Sequence, residues 1–331
     1  MSTENKEVKI RNAKRKVVKN QDMRNKNTEG ADVQEKFQIR TDLALEAREA
    51  LTEDGRQTSG IVLEEWEEAG GEVRLSRVTV ENSRGARTIG KPKGVYLTME
   101  ADALWKNDGG IHREIAEVLA EQILWFFARM EISPDASVLT AGLGNPEMTS
   151  DSLGPQAAGN LCITRNLRKA GRVSAIVPGV MAQTGMEAAE IIRGVVKETR
   201  PDVLLVIDAL AARSVRRLGT TIQLTDTGIQ PGSGVGNHRN HIDRISMGIP
   251  VLAIGVPTVV GAAAIVYDAV GQFMEEIEEQ ERYRIVKELV EPNLGPMYVT
   301  PKDVDEKIRR LSFTLSEGIN IALVPDAYIE G

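Results

Sequence analysis

The chain has 331 residues, of which 41% are apolar, and a formal net charge of −7. This length and composition allow a buried core for one large domain or two modest ones, and exclude a fibrous or wholly disordered protein. The negative charge argues against nucleic acid as the main ligand of the whole protein, and the single cysteine excludes an intrachain disulfide. No apolar span of about 20 residues opens the chain, so we expect a cytoplasmic protein without a membrane anchor.

The N-terminal segment differs in composition from the rest of the chain. Residues 1–30 contain nine lysines and arginines against four aspartates and glutamates, and no aromatic residue precedes Phe37. Such a segment cannot bury enough apolar surface to order itself. Composition alone is compatible with a disordered basic tail, a removable propeptide or a nucleic-acid-binding arm.

After residue 42 the pattern becomes that of an α/β protein. Hydrophobic periodicity predicts a helix with an acidic cap over residues 42–51, strands over 73–80 and 95–99, and a long amphipathic helix over 111–130. We also predict a closing helix over residues 302–322, because Pro301, which precedes it, suits the first turn of a helix.

Short apolar runs in the second half of the chain predict buried strands. They cover residues 138–143, 173–177, 203–207, 221–224 and 251–254. Helical patterns lie between most of them, which indicates a mostly parallel or mixed central sheet with helices on both faces, of the phosphorylase/hydrolase-like type. A smaller β-containing region is expected near residues 70–100. The longest apolar run, 251–270, contains Pro257 and Asp268, so we expect a buried strand that turns into a helix rather than a membrane span.

Two aspartates follow predicted strands. Asp151 lies in the loop after the run 138–143, and Asp208 follows the run 203–207 directly. Loops converge at the carboxyl edge of a parallel sheet, and a carboxylate there loses solvation unless it is paired, which suggests a use. The structural alternative is that each aspartate caps a helix, one beginning near Pro155 and the other covering residues 209–214.

Two carboxylates facing each other across a cleft could hold one shared proton. Such a pair activates water and protonates a leaving amine, which is the chemistry of peptide hydrolysis. A glycine-rich loop over residues 225–241 lacks the ending of a phosphate-binding P-loop and is interpreted as a loop that faces substrate. We assign Asn145, Ser233 and Asn237 as candidate substrate contacts.

A metal site is the weaker interpretation of the same residues. His238 and His241 could join Asp151 and Asp208 as ligands, but two exposed histidines in a polar loop are the simpler explanation of the pattern. We therefore predict no metal and no other cofactor.

Four long blocks of sequence carry a resemblance to a known family. They are the loop of residues 142–155, Ile207-Asp-Ala-Leu-Ala-Ala-Arg-Ser214, Asp226-Thr-Gly-Ile-Gln-Pro-Gly-Ser-Gly-Val-Gly-Asn237 and Gly248-Ile-Pro-Val-Leu-Ala-Ile-Gly-Val-Pro-Thr-Val-Val260. Together they resemble the spore germination protease, and the resemblance extends over nearly everything from Ile39 onward.

The resemblance implies an atypical aspartic endopeptidase with catalytic aspartates at Asp151 and Asp208. Its implied substrates are small acid-soluble, DNA-binding spore proteins, degraded at germination, and its implied setting is the cytoplasm of the forespore and spore core. A homotetramer is implied, with no membrane partner and no direct requirement for nucleic acid. The family is also similar in fold to hydrogenase maturation endopeptidases, which use two acidic residues and a histidine around a metal; no histidine here clearly matches theirs.

The resemblance further implies an inactive precursor that cuts itself after an acidic residue and before a hydrophobic one. Thr41-Asp42-Leu43-Ala44-Leu45-Glu46 has the order of residues found in the family's substrates. We therefore predict self-cleavage between Asp42 and Leu43, which divides the chain into a basic propeptide, residues 1–42, and one α/β peptidase domain, residues 43–331. Two alternatives stay open: a metal-dependent endopeptidase that uses the same acidic residues, and a non-catalytic spore protein that binds nucleic acid through its basic arm.

Overall fold

A mixed β-sheet organises the fold, with ten strands among the residues that the structure describes. The computed structural model describes residues 16–17, 41–53, 58–106, 108–167, 172–232, 240–273, 284, 288, 290–295 and 297–324. The strands are β1 Lys16–Val17, β2 Ile61–Glu68, β3 Val73–Val80, β4 Gly94–Glu100, β5 Val138–Gly142, β6 Val173–Ile176, β7 Val203–Ala212, β8 Thr221–Thr225, β9 Val251–Gly261 and β10 Tyr298–Val299.

The helices connect these strands and cover the sheet. They are α1 Ala44–Glu53, α2 Ser83–Ile89, α3 Gly109–Arg129, α4 Leu153–Gly159, α5 Met181–Thr184, α6 Ala188–Thr199, α7 Arg244–Met247, α8 Ala262–Phe273, α9 Glu291–Leu294 and α10 Val304–Leu323. Short 3₁₀ turns lie at Ala69–Gly71, Asp102–Trp105, Thr149–Asp151 and Val215–Arg217.

The sheet has two halves that differ in strand direction. Its order is β1-β2-β3-β4-β8-β9-β7-β5-β6, with β10 paired to β9. The strands β9, β7, β5 and β6 are parallel to one another and form the parallel half, whereas β2, β3, β4 and β8 alternate in direction and form the antiparallel half. The prediction of an α/β fold with a mixed sheet is thus confirmed, and the strands near residues 70–100 belong to this same sheet.

Helices cover both faces because successive strand residues point in opposite directions. In β7, Val203, Leu205 and Ile207 join the core cluster that includes α3, α4 and α10. Leu204 and Val206 join the cluster that includes α6. In the antiparallel half, α1 packs against Val78, Val80 and Tyr96. These side chains point to the face of the sheet opposite α3, because Leu75, Val95 and Leu97 pack in the cluster that includes α3. Helices α1 and α6 therefore lie on the same face of the sheet, over different halves.

Two local predictions were wrong. The helix predicted from residue 42 begins at Ala44, because the Asp42 carboxylate accepts the N–H of Ala211. The strand predicted over residues 203–207 continues to residue 212, since β9 is also longer than predicted and pairs with β7 as far as Val260.

The apolar run over residues 251–270 has the predicted character. It comprises β9 and most of α8, with nearly all of the strand buried. Of the helices within the described ranges, none combines the length and apolar character needed to cross a membrane.

Candidate active site

The carboxyl ends of the parallel strands open into a cavity of about 650 Å³. Asp151 and Asp208 both line it, as does Asp42. Parallel strands bring the loops that follow them to one edge of the sheet, which is why residues distant in sequence meet here. The structure thus brings both candidate catalytic aspartates and the acidic residue of the predicted cleavage site to one cavity.

Asp208 occupies the point where β7 passes beyond its neighbour β5. Its partner in β9 is Gly255, and the residue is 6% exposed. One carboxylate oxygen, Oδ1, accepts the N–H of Ala209 at 2.9 Å. Because the residues after Asp208 are extended, the helix-capping interpretation of this aspartate is wrong.

Asp151 ends the 3₁₀ turn before α4. Its Oδ2 accepts the N–H of Asn145 at 2.8 Å, so the carboxylate closes its own loop, and the N-cap residue of α4 is Ser152. Gly144 makes this closure possible: its φ is +114°, and a Cβ atom there would lie 1.9 Å from the Asp151 carbonyl oxygen. A residue with a side chain would push the Asp151 turn out of place.

Direct contacts fasten the two aspartate-bearing segments to each other. The N–H of Leu143 donates to the carbonyl oxygen of Ile207 at 2.8 Å. Gly154 lies against both segments. A Cβ atom on it would lie 2.3 Å from the Leu143 carbonyl oxygen and 2.5 Å from the Ile207 carbonyl oxygen. The Thr258 hydroxyl donates to the Ser150 carbonyl at 2.6 Å, tying the turn to β9. These contacts fix the position of Asp151 relative to Asp208.

The remaining candidate residues are only partly described. Asn145 lines the cavity, and its Oδ1 accepts the side-chain amide of Gln183 at 3.0 Å. His241 also lines the cavity and is exposed. Ser233, Asn237 and His238 lie outside the described residues. The roles assigned to all five stay predictions.

No group of three or more metal-binding side chains occurs within the described part of the chain. His238, one of the four residues named for the metal alternative, lies outside that part. The metal interpretation therefore gains no support from the described geometry.

The segment around Asp42 pairs with the far end of β7. The N–H of Asp42 donates to the Ala211 carbonyl at 3.0 Å, and Asp42 Oδ2 accepts the N–H of Ala211 at 2.9 Å. Leu43 is fully buried and packs in a cluster with Leu210 and Ala212. An acidic side chain and the apolar side chain after it are thus each bound by the segment of β7 that follows Asp208.

Two further residues hold this segment from the antiparallel half. Lys91, in the turn between α2 and β4, donates from Nζ to the carbonyl oxygens of Thr41 and Asp42, both at 3.0 Å. Gln223 of β8 donates from Nε2 to the Asp42 carbonyl at 3.2 Å and accepts the N–H of Ala44 at 2.8 Å. Sequence reasoning missed both; the available signal was a polar residue, Gln223, at the centre of a buried strand.

Burial shifts the ionisation of Lys91. Desolvation lowers the pKa of its ammonium, and the negative charges of Asp42 and Glu46 act in the opposite direction. The ammonium is therefore costly to place here unless its donors are used, and the two carbonyl oxygens use them.

Glu46 anchors the other end of the same stretch. It is 2% exposed, accepts the hydroxyl of Thr41, and accepts the N–H groups of Arg213 and Ser214 at 2.7 and 3.0 Å. Arg217 lies 3.5 Å from it and also pairs with Glu49 on α1. Residues 41–46 are therefore bound at both ends.

Comparison with known proteins places this chain beside a family of proteases. A family model described as "Germination protease" matches residues 39–276. Relatives of that name are 41% identical in Caldanaerobacter subterraneus, with 87% of this chain and 94% of the relative covered, and 38% identical in Clostridium perfringens, with 89% and 98% covered. The one from Bacillus subtilis is 37% identical, with 87% and 94% covered.

One solved structure is similar at a lower level. It is the [NiFe] hydrogenase maturation protease HycI from Thermococcus kodakarensis, with 15% identity, 56% of this chain and 93% of that chain covered, and a TM-score of 0.32.

Proposed function

The chain belongs to the germination protease family, and we propose that it is an endopeptidase zymogen that cuts itself between Asp42 and Leu43. Its proposed substrates after activation are small acid-soluble, DNA-binding spore proteins. The observation that carries the proposal is the position of Asp42, in the wall of the cavity that Asp151 and Asp208 also line.

The contacts of the segment support a preference for an acid followed by an apolar residue. The Asp42 carboxylate accepts a backbone N–H, which favours an acceptor over an apolar side chain at this position. The Leu43 side chain is enclosed by Leu210 and Ala212, where a charged group would lose its hydration without a partner. The residue before the bond is therefore bound as an acid and the residue after it as an apolar residue, in agreement with the proposed substrate preference.

Asp151 and Asp208 are proposed to share one proton and activate a water molecule between them. The water oxygen attacks the carbonyl carbon of Asp42, and its proton passes to the ionised carboxylate. The protonated carboxyl gives its proton to the Leu43 nitrogen as the carbon–nitrogen bond breaks. The products are a new carboxyl group on Asp42 and a new amine on Leu43.

Charge supports the proposed substrate class. Residues 1–42 contribute +4 to the total of −7, which leaves −11 on residues 43–331. Proteins that bind DNA carry basic surfaces, because they neutralise phosphates. An acidic enzyme attracts such proteins over several ångströms at low ionic strength. A homotetramer and action in the spore core are parts of the same proposal.

The test is mass spectrometry of the purified chain after incubation at mildly acidic pH. We expect the wild type to lose residues 1–42, and Asp151→Asn and Asp208→Asn each to remain full length with an unchanged melting temperature. Asp135→Asn is the matched control, because its side chain is 95% exposed and Asp135 is not among the cavity residues. Normal processing by both active-site variants would contradict the aspartate pair.

A chelator separates the aspartate pair from the metal-dependent alternative. Processing that continues unchanged in the chelator supports two aspartates acting on water alone. Processing that stops and returns with added metal would assign the same acidic residues to a metal site.

A further inference from the structure

The carbonyl oxygen of Asp42 receives two side-chain donors, one charged and one neutral. Lys91 Nζ lies 3.0 Å from it and Gln223 Nε2 lies 3.2 Å from it. In the proposed function this oxygen belongs to the bond that is cut. It is also the atom on which negative charge develops when water adds to the carbonyl carbon.

The two donors are held in place before any reaction. The Gln223 amide is oriented from its other side, because its Oε1 accepts the N–H of Ala44 at 2.8 Å. Lys91 is oriented by a second acceptor, the Thr41 carbonyl at 3.0 Å. Groups fixed in this way need little reorganisation when the charge on the oxygen grows, which is the property of an oxyanion-binding site.

The sheet explains how these groups reach the same cavity as the aspartates. Gln223 of β8 and Asp208 of β7 are both register partners of Gly255 on the strand between them. Paired residues of neighbouring strands point to the same face, so Asp208 and Gln223 share a face, with a residue lacking a side chain between them. One row across three strands therefore connects a candidate acid to a candidate oxyanion donor.

We propose that Lys91 and Gln223 form the oxyanion-binding site for hydrolysis of the bond between Asp42 and Leu43, which rests on the self-cleavage proposed above. As the water oxygen bonds to the Asp42 carbon, the electron pair of the carbonyl moves onto its oxygen. The ammonium of Lys91 and the amide N–H of Gln223 stabilise that negative charge. The pair returns to re-form the carbonyl as the bond to the Leu43 nitrogen breaks and that nitrogen takes its proton from the aspartate pair.

The competing explanation is that Lys91 and Gln223 only act as fasteners, because the same contacts also hold residues 41–46 against the sheet. The two roles differ in what a neutral side chain does. Loss of an oxyanion donor slows the chemistry while the segment stays bound, whereas loss of a fastener releases the segment.

The experiment measures the rate constant for removal of residues 1–42 from the full chain by intact mass. Lys91→Met removes the ammonium and keeps an unbranched side chain one atom shorter, and Lys91→Arg keeps the charge. Gln223→Glu keeps the acceptor for Ala44 and removes the donor to Asp42. Lys93→Met is the matched control, because Lys93 lies in the same turn and is exposed. Hydrogen exchange at residues 41–46 is followed in each variant combined with Asp208→Asn, which keeps the segment uncut.

We expect Lys91→Met to be slower by about 100-fold or more and Gln223→Glu by at least about 10-fold, with exchange protection of residues 41–46 retained. Lys91→Arg should recover part of the rate. Processing of Lys91→Met at the rate of Lys93→Met would overturn the proposal. So would slow processing accompanied by lost protection, because that result assigns Lys91 to fastening. A wild type that does not process refutes the self-cleavage itself, and an Asp208→Asn variant that does process refutes the aspartate pair, so both results are distinguishable from a failure of the oxyanion-binding site.

Discussion

The two halves of the sheet contribute different things to the cavity. The parallel half supplies Asp151 and Asp208 from segments that follow the strand pairing of β5 and β7. The antiparallel half supplies Gln223 from the middle of β8, and Lys91 from the turn before β4. Parallel strands gather loops at one edge, whereas an antiparallel strand can present a side chain from its interior. The acids and the groups that hold the peptide segment therefore come from different structural sources.

Arg217 connects the two halves. It follows β7 of the parallel half, and it pairs with Glu49 on α1 at 2.7 Å and with Glu100 on β4 at 3.1 Å. These partners raise the pKa of its guanidinium even though burial acts to lower it. The connection keeps α1, which begins one residue after Leu43, in position over the antiparallel half.

The largest expected effect is on the rate of self-processing, and it comes from a change confined to the parallel half. Gly144→Ala places a Cβ atom against the Asp151 carbonyl at a φ of +114°, so the Asp151 turn must shift. A displacement of about 1 Å in a catalytic group costs about 100-fold in rate, and we expect self-processing to slow by at least that factor.

Gly159→Ala is the control, because an added Cβ atom there meets no atom within 4 Å. Intact mass over time gives both rates, and hydrogen exchange shows whether residues 41–46 stay bound in Gly144→Ala. Equal rates for the two variants would contradict the role of Gly144 in placing Asp151.

For the segment that both halves hold, the expected effect is on stability and not on rate. Leu43→Ala removes a fully buried side chain and should lower the free energy of unfolding of the uncut chain by about 3 kcal/mol. Urea denaturation in the Asp208→Asn background measures it. Leu124→Ala, at a site that is 48% exposed, should cost about 1 kcal/mol or less. Similar losses for the two would show that the packing of Leu43 contributes little.

Weakening the ion pairs of Arg217, which link the halves, should cost less stability than removing the Leu43 side chain. Arg217→Lys keeps the charge but loses the paired contacts with the two Glu49 oxygens, each at 2.7 Å. We expect a loss of about 2 kcal/mol in the free energy of unfolding, because a lysine cannot reproduce the forked geometry. Urea denaturation gives the value, and a loss below about 0.5 kcal/mol would show that the halves do not depend on this residue.

The smallest effect is expected for Arg113, whose ion pairs lie away from the cavity. Arg113 of α3 pairs with Glu117 at 3.0 Å and with Glu317 at 3.1 Å, and its side chain is 48% exposed. Arg113→Lys should change the free energy of unfolding by less than about 0.5 kcal/mol, as exposed pairs usually do. It serves as the baseline for Arg217→Lys, and equal changes in the two would remove the distinction between linked and exposed ion pairs here.

Local sequence patterns predicted most of the fold. Continuous apolar runs correctly located β5 to β9, because a strand covered on both faces needs apolar side chains in both directions. They could not show where β7 ends, since that depends on how far β9 extends beside it. The start of α1 was misplaced for a similar reason: the carboxylate of Asp42 looked like a local cap, and it is used by Ala211.

The candidate site divides in the same way. Asp151 and Asp208 could be predicted to lie near each other, because each follows an apolar run directly or after a loop, and both line the cavity. Lys91 and Gln223 could not, because their partners lie 49 and 181 residues away in sequence and neither has a local pattern that marks a binding role. Contacts of this kind become visible only once the strand order is known.

The long sequence separation of these contacts also concerns the order of events in the life of the chain. The Asp42 carbonyl oxygen meets Lys91 and Gln223, and the Asp42 carboxylate meets Ala211, only when β4, β7 and β8 have taken their places in one sheet. If the bond is cut from this bound state, a chain with a misassembled sheet keeps its extension. The length of the purified protein would then record whether each copy had folded, so that a difference of 42 residues on a gel serves as a quality control for folding.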